Sequence, residues 1–242
     1  MTANSIRQAI RAGGTVRGVH LTYPAPRAIE ALAGLGLDFV YLDGEHGAFT
    51  PGEIEQHCVV ADRRGITPIA RVPDNSRGTI LRFLDRGVRG IVVPHVESVD
   101  EARRAVAATY FAPLGERSYG GAFPANYRDR AELPQFLQDC NAAVTLSLMI
   151  ESRQGLAAAP ELAAVDGVDY LSFGMMDLAQ SLGHPGRPDH PEVAAAVADA
   201  SARIRAAGKP VREDFMRFAW IDDILFAGGK ARLGLPADPV IR

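Results

Sequence analysis

Cysteine and lysine are both scarce in this sequence, and each scarcity removes a class of chemistry. The 242 residues contain two cysteines, Cys58 and Cys140, which are isolated and share no metal-ligand spacing. A disulfide framework and a thiolate metal centre are therefore not expected, and inert thiols in a reducing cytoplasm are. Of the 26 basic side chains only Lys209 and Lys230 are lysines. Neither follows a long β-branched strand that could hold it desolvated in a pocket, so Schiff-base catalysis is not expected. No apolar run approaches the ~18 residues of a membrane span, and the N-terminal residues lack a charged segment followed by an apolar one. The formal net charge is -3 with scattered arginines, which gives neither nucleic acid nor anionic lipid a basic surface to bind. Gly-rich GxGxxG and GxxxxGK[ST] stretches are missing as well, which argues against a nucleotide fold.

What is present is an alternation of short apolar runs and longer helical patterns in a chain that is 47% hydrophobic. Strands are predicted at 15–21, 39–42, 67–72, 90–96, 144–150 and 168–173. Helices are predicted at 25–35, 52–64, 76–86, 99–109, 154–164 and 191–207, several of them opened by Pro51, Asp74, Ser98 or Pro191. Strands separated by helices imply right-handed crossovers and a parallel sheet. At this length a single (β/α)8 TIM-type barrel over 1–242 is favoured over a doubly wound sheet. The stretch "REDFMRFAWIDDILFAGGKARL" reads helical, which makes 212–242 a divergent C-terminal helical segment. The Gly/Pro-rich, aromatic stretch 111–133 is long for a loop, and either an active-site role or packing against another subunit would account for it.

Catalytic groups of a parallel barrel gather at the C-terminal strand ends. Those ends carry Asp43, Glu45 and His46, then Arg71, then His95 and Glu97, then Glu151, then Asp177. Glu151 and Asp177 are one αβ unit apart and would face one mouth. Two carboxylates there either raise each other's pKa or share a hard cation, Mg²⁺ or Mn²⁺; otherwise each is a helix cap. Arg71 ends a core-like run, where a guanidinium needs an anion: a substrate carboxylate, a developing enolate, or a structural partner such as Glu45 or Asp43. His46 offers a ring that exchanges protons near neutral pH, with Asp43 or Asp85 to orient it. His20, His184 and His190 lack such company, and His95 is expected to pack or to support other residues.

In order and spacing, the strand-end series "YLDGEH", "PIARV", "IVVPHV", "MIESRQGL" and "DYLSFGMMDLAQSLGHPGRPDHPEV" resembles the HpcH/HpaI (2,4-dihydroxyhept-2-ene-1,7-dioate aldolase) family of class II, metal-dependent pyruvate aldolases. The resemblance runs over roughly residues 5 to 208. It implies a (β/α)8 barrel, usually hexameric (a trimer is the smaller alternative), that cleaves 4-hydroxy-2-oxo acids to pyruvate and an aldehyde. It implies Glu151 and Asp177 as ligands of a divalent cation (Mg²⁺ or Mn²⁺, with Co²⁺ a third choice) and Arg71 as the group that stabilises the pyruvate enolate. His46 is implied as the acid/base, working with Asp43 and Asp85, and the Gly174-Met175-Met176-Asp177 turn as the substrate-carboxylate site.

Three departures accompany the resemblance. The family turn is usually Gly-Pro-x-Asp; Met149 stands where relatives often carry glutamine; and the region of strands 7 and 8 is shortened by roughly one βα unit, leaving the barrel incomplete or closed by a swapped helix. Together they favour a specialised enzyme of this class. Two alternatives remain: a decarboxylase or carbon–carbon bond-forming synthase acting on an oxaloacetate-type acid, and a non-catalytic member that keeps only the fold.

Overall fold

The computed structural model describes residues 4–120 and 131–234. Part of the 111–133 loop, 121–130, lies outside the described residues, as does 235–242 of the C-terminal segment. The elements run α1 (Ser5–Ala12), β1 (Val16–Leu21), α2 (Pro26–Ala33), β2 (Phe39–Asp43), α3 (Pro51–Arg63), β3 (Thr67–Arg71), α4 (Arg77–Asp85), β4 (Gly90–Val93) and α5 (Val99–Thr109). They continue with α6 (Leu133–Ala143), β5 (Thr145–Ile150), α7 (Arg153–Ala157), α8 (Ala159–Ala163), β6 (Tyr170–Phe173), α9 (Met175–Ser181), α10 (Pro191–Ala206), α11 (Arg212–Phe215), β7 (Met216–Trp220) and α12 (Ile221–Leu233). All six predicted strands form, with ends shifted by a few residues. The predicted 154–164 helix is divided into α7 and α8, with Pro160 in the first turn of the second.

Local chemistry starts α3 and α5 where expected, whereas α4 is capped by Ser76 and not by Asp74, which instead accepts from the Ser76 N–H. Thr50 caps α3 through a reciprocal capping box with Glu53, and Ser98 does the same for α5 with Glu101. Among the described residues no helix is long and apolar enough to cross a membrane.

The strands form one curled parallel sheet in the order β6-β5-β4-β3-β2-β1-β7, a shortened TIM-type barrel. Period-two alternation sorts its side chains into two cores. Val40, Leu42, Ala70, Ile91, Val93, Leu146 and Leu148 point outward under the helices. Phe39, Tyr41, Ile69, Val92, Met149 and Tyr170 fill the barrel interior, where α1 closes one end with Ile6 and Ala9. Asn4 anchors that helix by donating to the Arg89 and Ala143 carbonyls at 2.7 and 2.8 Å.

The C-terminal segment differs from the helical expectation. Met216–Trp220 is a strand, paired parallel to β1 where an eighth strand would lie. Alternation explains it: Met216 packs in the barrel interior with Phe218 against the same cluster, a period of two inside a sequence that is also compatible with a helix. The seventh position is reduced to a single bridge from Val211 to Leu171. The four-residue α11 then carries the chain directly into β7.

A narrow interior demands small residues opposite large ones. Gly18 of β1 is the register partner of Phe39, and a Cβ on Gly18 would fall 2.5 Å from the Phe39 ring. Gly18→Ala should therefore lower the unfolding free energy by about 1–3 kcal/mol through overpacking, as read by urea denaturation. An unchanged midpoint would show that the interior is not filled as described.

Candidate active site

The interior parity of each strand, continued to its C-terminal end, delivers the polar residues. After Phe39 and Tyr41 comes Asp43; after Ile69 comes Arg71; after Met149 comes Glu151; after Tyr170 and Ser172 comes Gly174. Asp43 and Arg71 are direct register partners on adjacent strands, so their side chains emerge side by side.

Asp43 is almost fully buried and its carboxylate is saturated. Arg71 donates to it twice, Nε to Oδ1 at 3.1 Å and Nη2 to Oδ2 at 2.6 Å. The backbone N–H groups of Glu45 and His46 donate to Oδ1 at 3.2 and 3.1 Å. His20 Nε2 lies 3.4 Å from Oδ2. Burial alone would push this carboxyl up, but the contacts with His20 and Arg71 and the guanidinium charge hold it well below the usual carboxylate range. The Arg71 charge, which burial disfavours, is held in turn by Asp43 and by Glu45, whose Oε2 is 3.1 Å from Nη1.

Glu45 joins this pair to the next strand ends. Its Oε1 is 3.2 Å from His95 Nε2, and His95 Nδ1 is 3.3 Å from Glu151 Oε2. The His95 backbone N–H also donates to Glu151 Oε2 at 2.9 Å. Glu151 is buried, and desolvation raises its pKa against the pull of that N–H. Its position depends on Gly174: a Cβ there would sit 1.8 Å from Glu151 Oε1. Asp177, in the first turn of α9, completes a group in which His95, Glu151 and Asp177 each offer a ligand atom within 4.8 Å of the others. Two carboxylates, one of them desolvated, and an imidazole fit a divalent cation.

The mouth thus gathers Asp43, Arg71, Glu151, Asp177 and Gly174, as the sequence led one to expect. Three placements differ from that expectation. Asp43 does not orient the His46 ring, because Arg71, His20 and two backbone amides occupy its carboxylate; the ring is 63% exposed and 4.0 Å from Glu45. Asp85 ends α4 near the opposite end of the barrel, where Arg89 N–H donates to the Pro68 carbonyl at the start of β3. Its carboxylate there accepts from Arg117 at 3.0 Å, so within this chain it does not meet His46. Of the two readings of His95, packing fails because the ring is more than half exposed, and support of other residues holds, since it stands between Glu45 and Glu151.

His20 was also missed. Its buried ring stacks on Trp220 at 3.8 Å, and burial lowers its pKa. It lies on the interior parity of β1, and that parity was the signal available in the sequence. Lys209 donates to the Val168 carbonyl at 2.7 Å, below the start of β6 and away from the mouth. Met175 is partly buried against the outer core and Met176 is exposed. A second group, His184, His190 and Glu192, lies on the α9–α10 connection.

The family model described as HpcH/HpaI aldolase/citrate lyase matches residues 18–222, which span every one of these positions. The chain belongs to that family. Its relatives include a pyruvate aldolase of Rhizobium etli, 35% identical over 210 residues, covering 87% of this chain and 82% of the relative. Another is the 4-hydroxy-2-oxo-heptane-1,7-dioate aldolase of Shigella sonnei, 36% identical over 211 residues, covering 85% and 78%. Among solved structures, an HpcH/HpaI aldolase/citrate lyase family protein from Burkholderia cenocepacia superposes with a TM-score of 0.85 at 29% identity, covering 96% of this chain and 99% of that one. Membership in the HpcH/HpaI family thus agrees with the barrel.

The Asp43 shift has a pH consequence. Its carboxyl titrates lower in the folded chain than in the unfolded one (~4), so its stabilisation is complete above ~4 and is lost as pH falls through the folded value. Asp43→Asn should cost about 3 kcal/mol at pH 7, since it leaves the Arg71 charge short of a partner. The gap between wild type and variant in denaturant unfolding should narrow below pH 4. A gap independent of pH down to 3 would contradict the ion-pair description.

Proposed function

We propose that the protein is a metal-dependent carbon–carbon lyase of the pyruvate-aldolase type, cleaving or forming 4-hydroxy-2-oxo acids. The observation that carries this reading is the juxtaposition, at one barrel mouth, of a donor pair, buried Glu151 and half-buried Asp177, with a guanidinium fixed by Asp43. Its partners would be a small 2-oxo acid and an aldehyde.

Glu151 and Asp177 would hold the divalent cation, Mg²⁺, Mn²⁺ or Co²⁺, which when bound supplies Lewis-acid polarisation to a 2-oxo acid. The remaining work falls to the chain. Asp43 holds the Arg71 guanidinium in one orientation. Of the five N–H groups of an arginine, two bond Asp43, and others remain to meet the oxygen that gains charge as the C3–C4 bond breaks. His46, exposed at the rim, takes the proton from the C4 hydroxyl as the aldehyde forms; the enolate is then protonated at C3. Gly174 leaves the space that Glu151 occupies, and the Gly174-Met175-Met176-Asp177 turn would present backbone N–H groups to the substrate carboxylate. Asp85, at the far end of this chain's barrel, meets none of these groups within one chain.

The Met175–Met176 pair also favours a second substrate class. An oxaloacetate-type acid would reach the same enolate by decarboxylation, and a turn without the family's proline gives its carboxylate a differently shaped site. The exposed Leu225, Phe226 and Leu233 of α12 support a subunit contact in a homo-oligomer, for which a hexamer or a trimer is the expected size.

Pyruvate release from 4-hydroxy-2-oxo acids should disappear with EDTA, return with Mn²⁺ or Mg²⁺, and fall at least ~100-fold in Glu151→Gln. His46→Asn should lower kcat by about 10²–10⁴ while leaving cation binding intact. Activity that survives both chelation and Glu151→Gln would rule the scheme out.

A further inference from the structure

We infer that His95 is a third protein ligand of the cation held by Glu151 and Asp177, acting through Nδ1, and that Glu45 orients its ring, so that the site selects a transition ion over Mg²⁺. The inference rests on the metal site proposed above and assigns to it two residues that the scheme leaves without a role.

Four observations converge. Ligand atoms of His95, Glu151 and Asp177 lie within 4.8 Å of one another. His95 Nδ1 is 3.3 Å from Glu151 Oε2, which is the spacing of two donors that share an ion about 2.1 Å from each. The other ring nitrogen, Nε2, is 3.2 Å from Glu45 Oε1, and Glu45 Oε2 is itself 3.1 Å from Arg71 Nη1. A carboxylate on the far nitrogen is the usual partner of a metal-bound histidine, because it fixes the tautomer and the ring plane. Finally, His95 has φ 52°, the only positive φ of a non-glycine residue among the described residues. That conformation is unfavourable for a residue with a Cβ and is retained where a side chain must be aimed. The ring is 56% exposed, so packing does not account for it. Its backbone N–H, bonded to Glu151, holds ring and carboxylate together.

The consequence is selectivity. Two carboxylates alone suit a hard ion with several waters, whereas an added imidazole favours Mn²⁺, Co²⁺, Ni²⁺ or Zn²⁺ over Mg²⁺.

Pulsed EPR on the full-length, Mn²⁺-loaded protein tests this directly, since a bound imidazole modulates the echo through its ¹⁴N nucleus. Modulation is expected in wild type and in His46→Asn, and not in Mn²⁺-loaded His95→Asn, whose asparagine tolerates the left-handed backbone. In calorimetric titrations the Co²⁺ to Mg²⁺ affinity ratio should fall at least ~10-fold in His95→Asn. If Mn²⁺ binding is lost in Glu151→Gln but wild type shows no ¹⁴N modulation, or modulation persists in His95→Asn, the His95 assignment fails while the lyase scheme stands. If Glu151→Gln binds Mn²⁺ as wild type does, both fail.

Discussion

The organising interaction is the cross-strand ion pair of Asp43 and Arg71. Register sets the two residues side by side at the ends of β2 and β3, and strand parity aims both into the barrel. A guanidinium in that position without an anion would be costly, and so would the carboxylate alone; together they are stable and geometrically fixed. From this pair the contacts run outward: Glu45 on Arg71, His95 on Glu45, Glu151 on His95. Each member is positioned by the one before it. The mouth is therefore a connected network, and its two ends, the fixed guanidinium and the buried carboxylate, are what a metal-dependent cleavage of a 2-oxo acid requires.

The barrel serves this network with fewer parts than a full eightfold repeat. The seventh strand is a single bridge at Val211, yet β7 still reaches β1 and brings Trp220 against His20, which touches Asp43. The shortened region thus remains linked to the ion pair through stacked rings. The α1 helix closes the other end with Ile6 and Ala9 packed in the interior.

Much of this was legible in the sequence, for identifiable reasons. Six apolar runs and their caps located the strands, because buried parallel strands are continuous in hydrophobicity and Thr50 and Ser98 carry reciprocal caps. The rule that chemistry lies at strand C-termini brought out Asp43, Arg71, Glu151 and Asp177. Three features were not legible. β7 was obscured because Met216–Trp220 is also compatible with a helical period, and only pairing with β1 decides between them. Asp85 looked available to His46 because sequence distance does not reveal at which end of a barrel a helix terminates. The strand-end rule brought out Glu45 and His95 too, and Glu45 as a partner of Arg71; the contact between them depends on the left-handed backbone at His95, which leaves no one-dimensional pattern.

Crystals grown with Mn²⁺ and pyruvate, measured at a wavelength where manganese scatters anomalously, test the central claim most directly. An anomalous peak is expected about 2.2 Å from carboxylate oxygens of Glu151 and Asp177, with Asp43 still bidentate on Arg71. A peak seated instead on His184, His190 and Glu192, with none at Glu151, would contradict it.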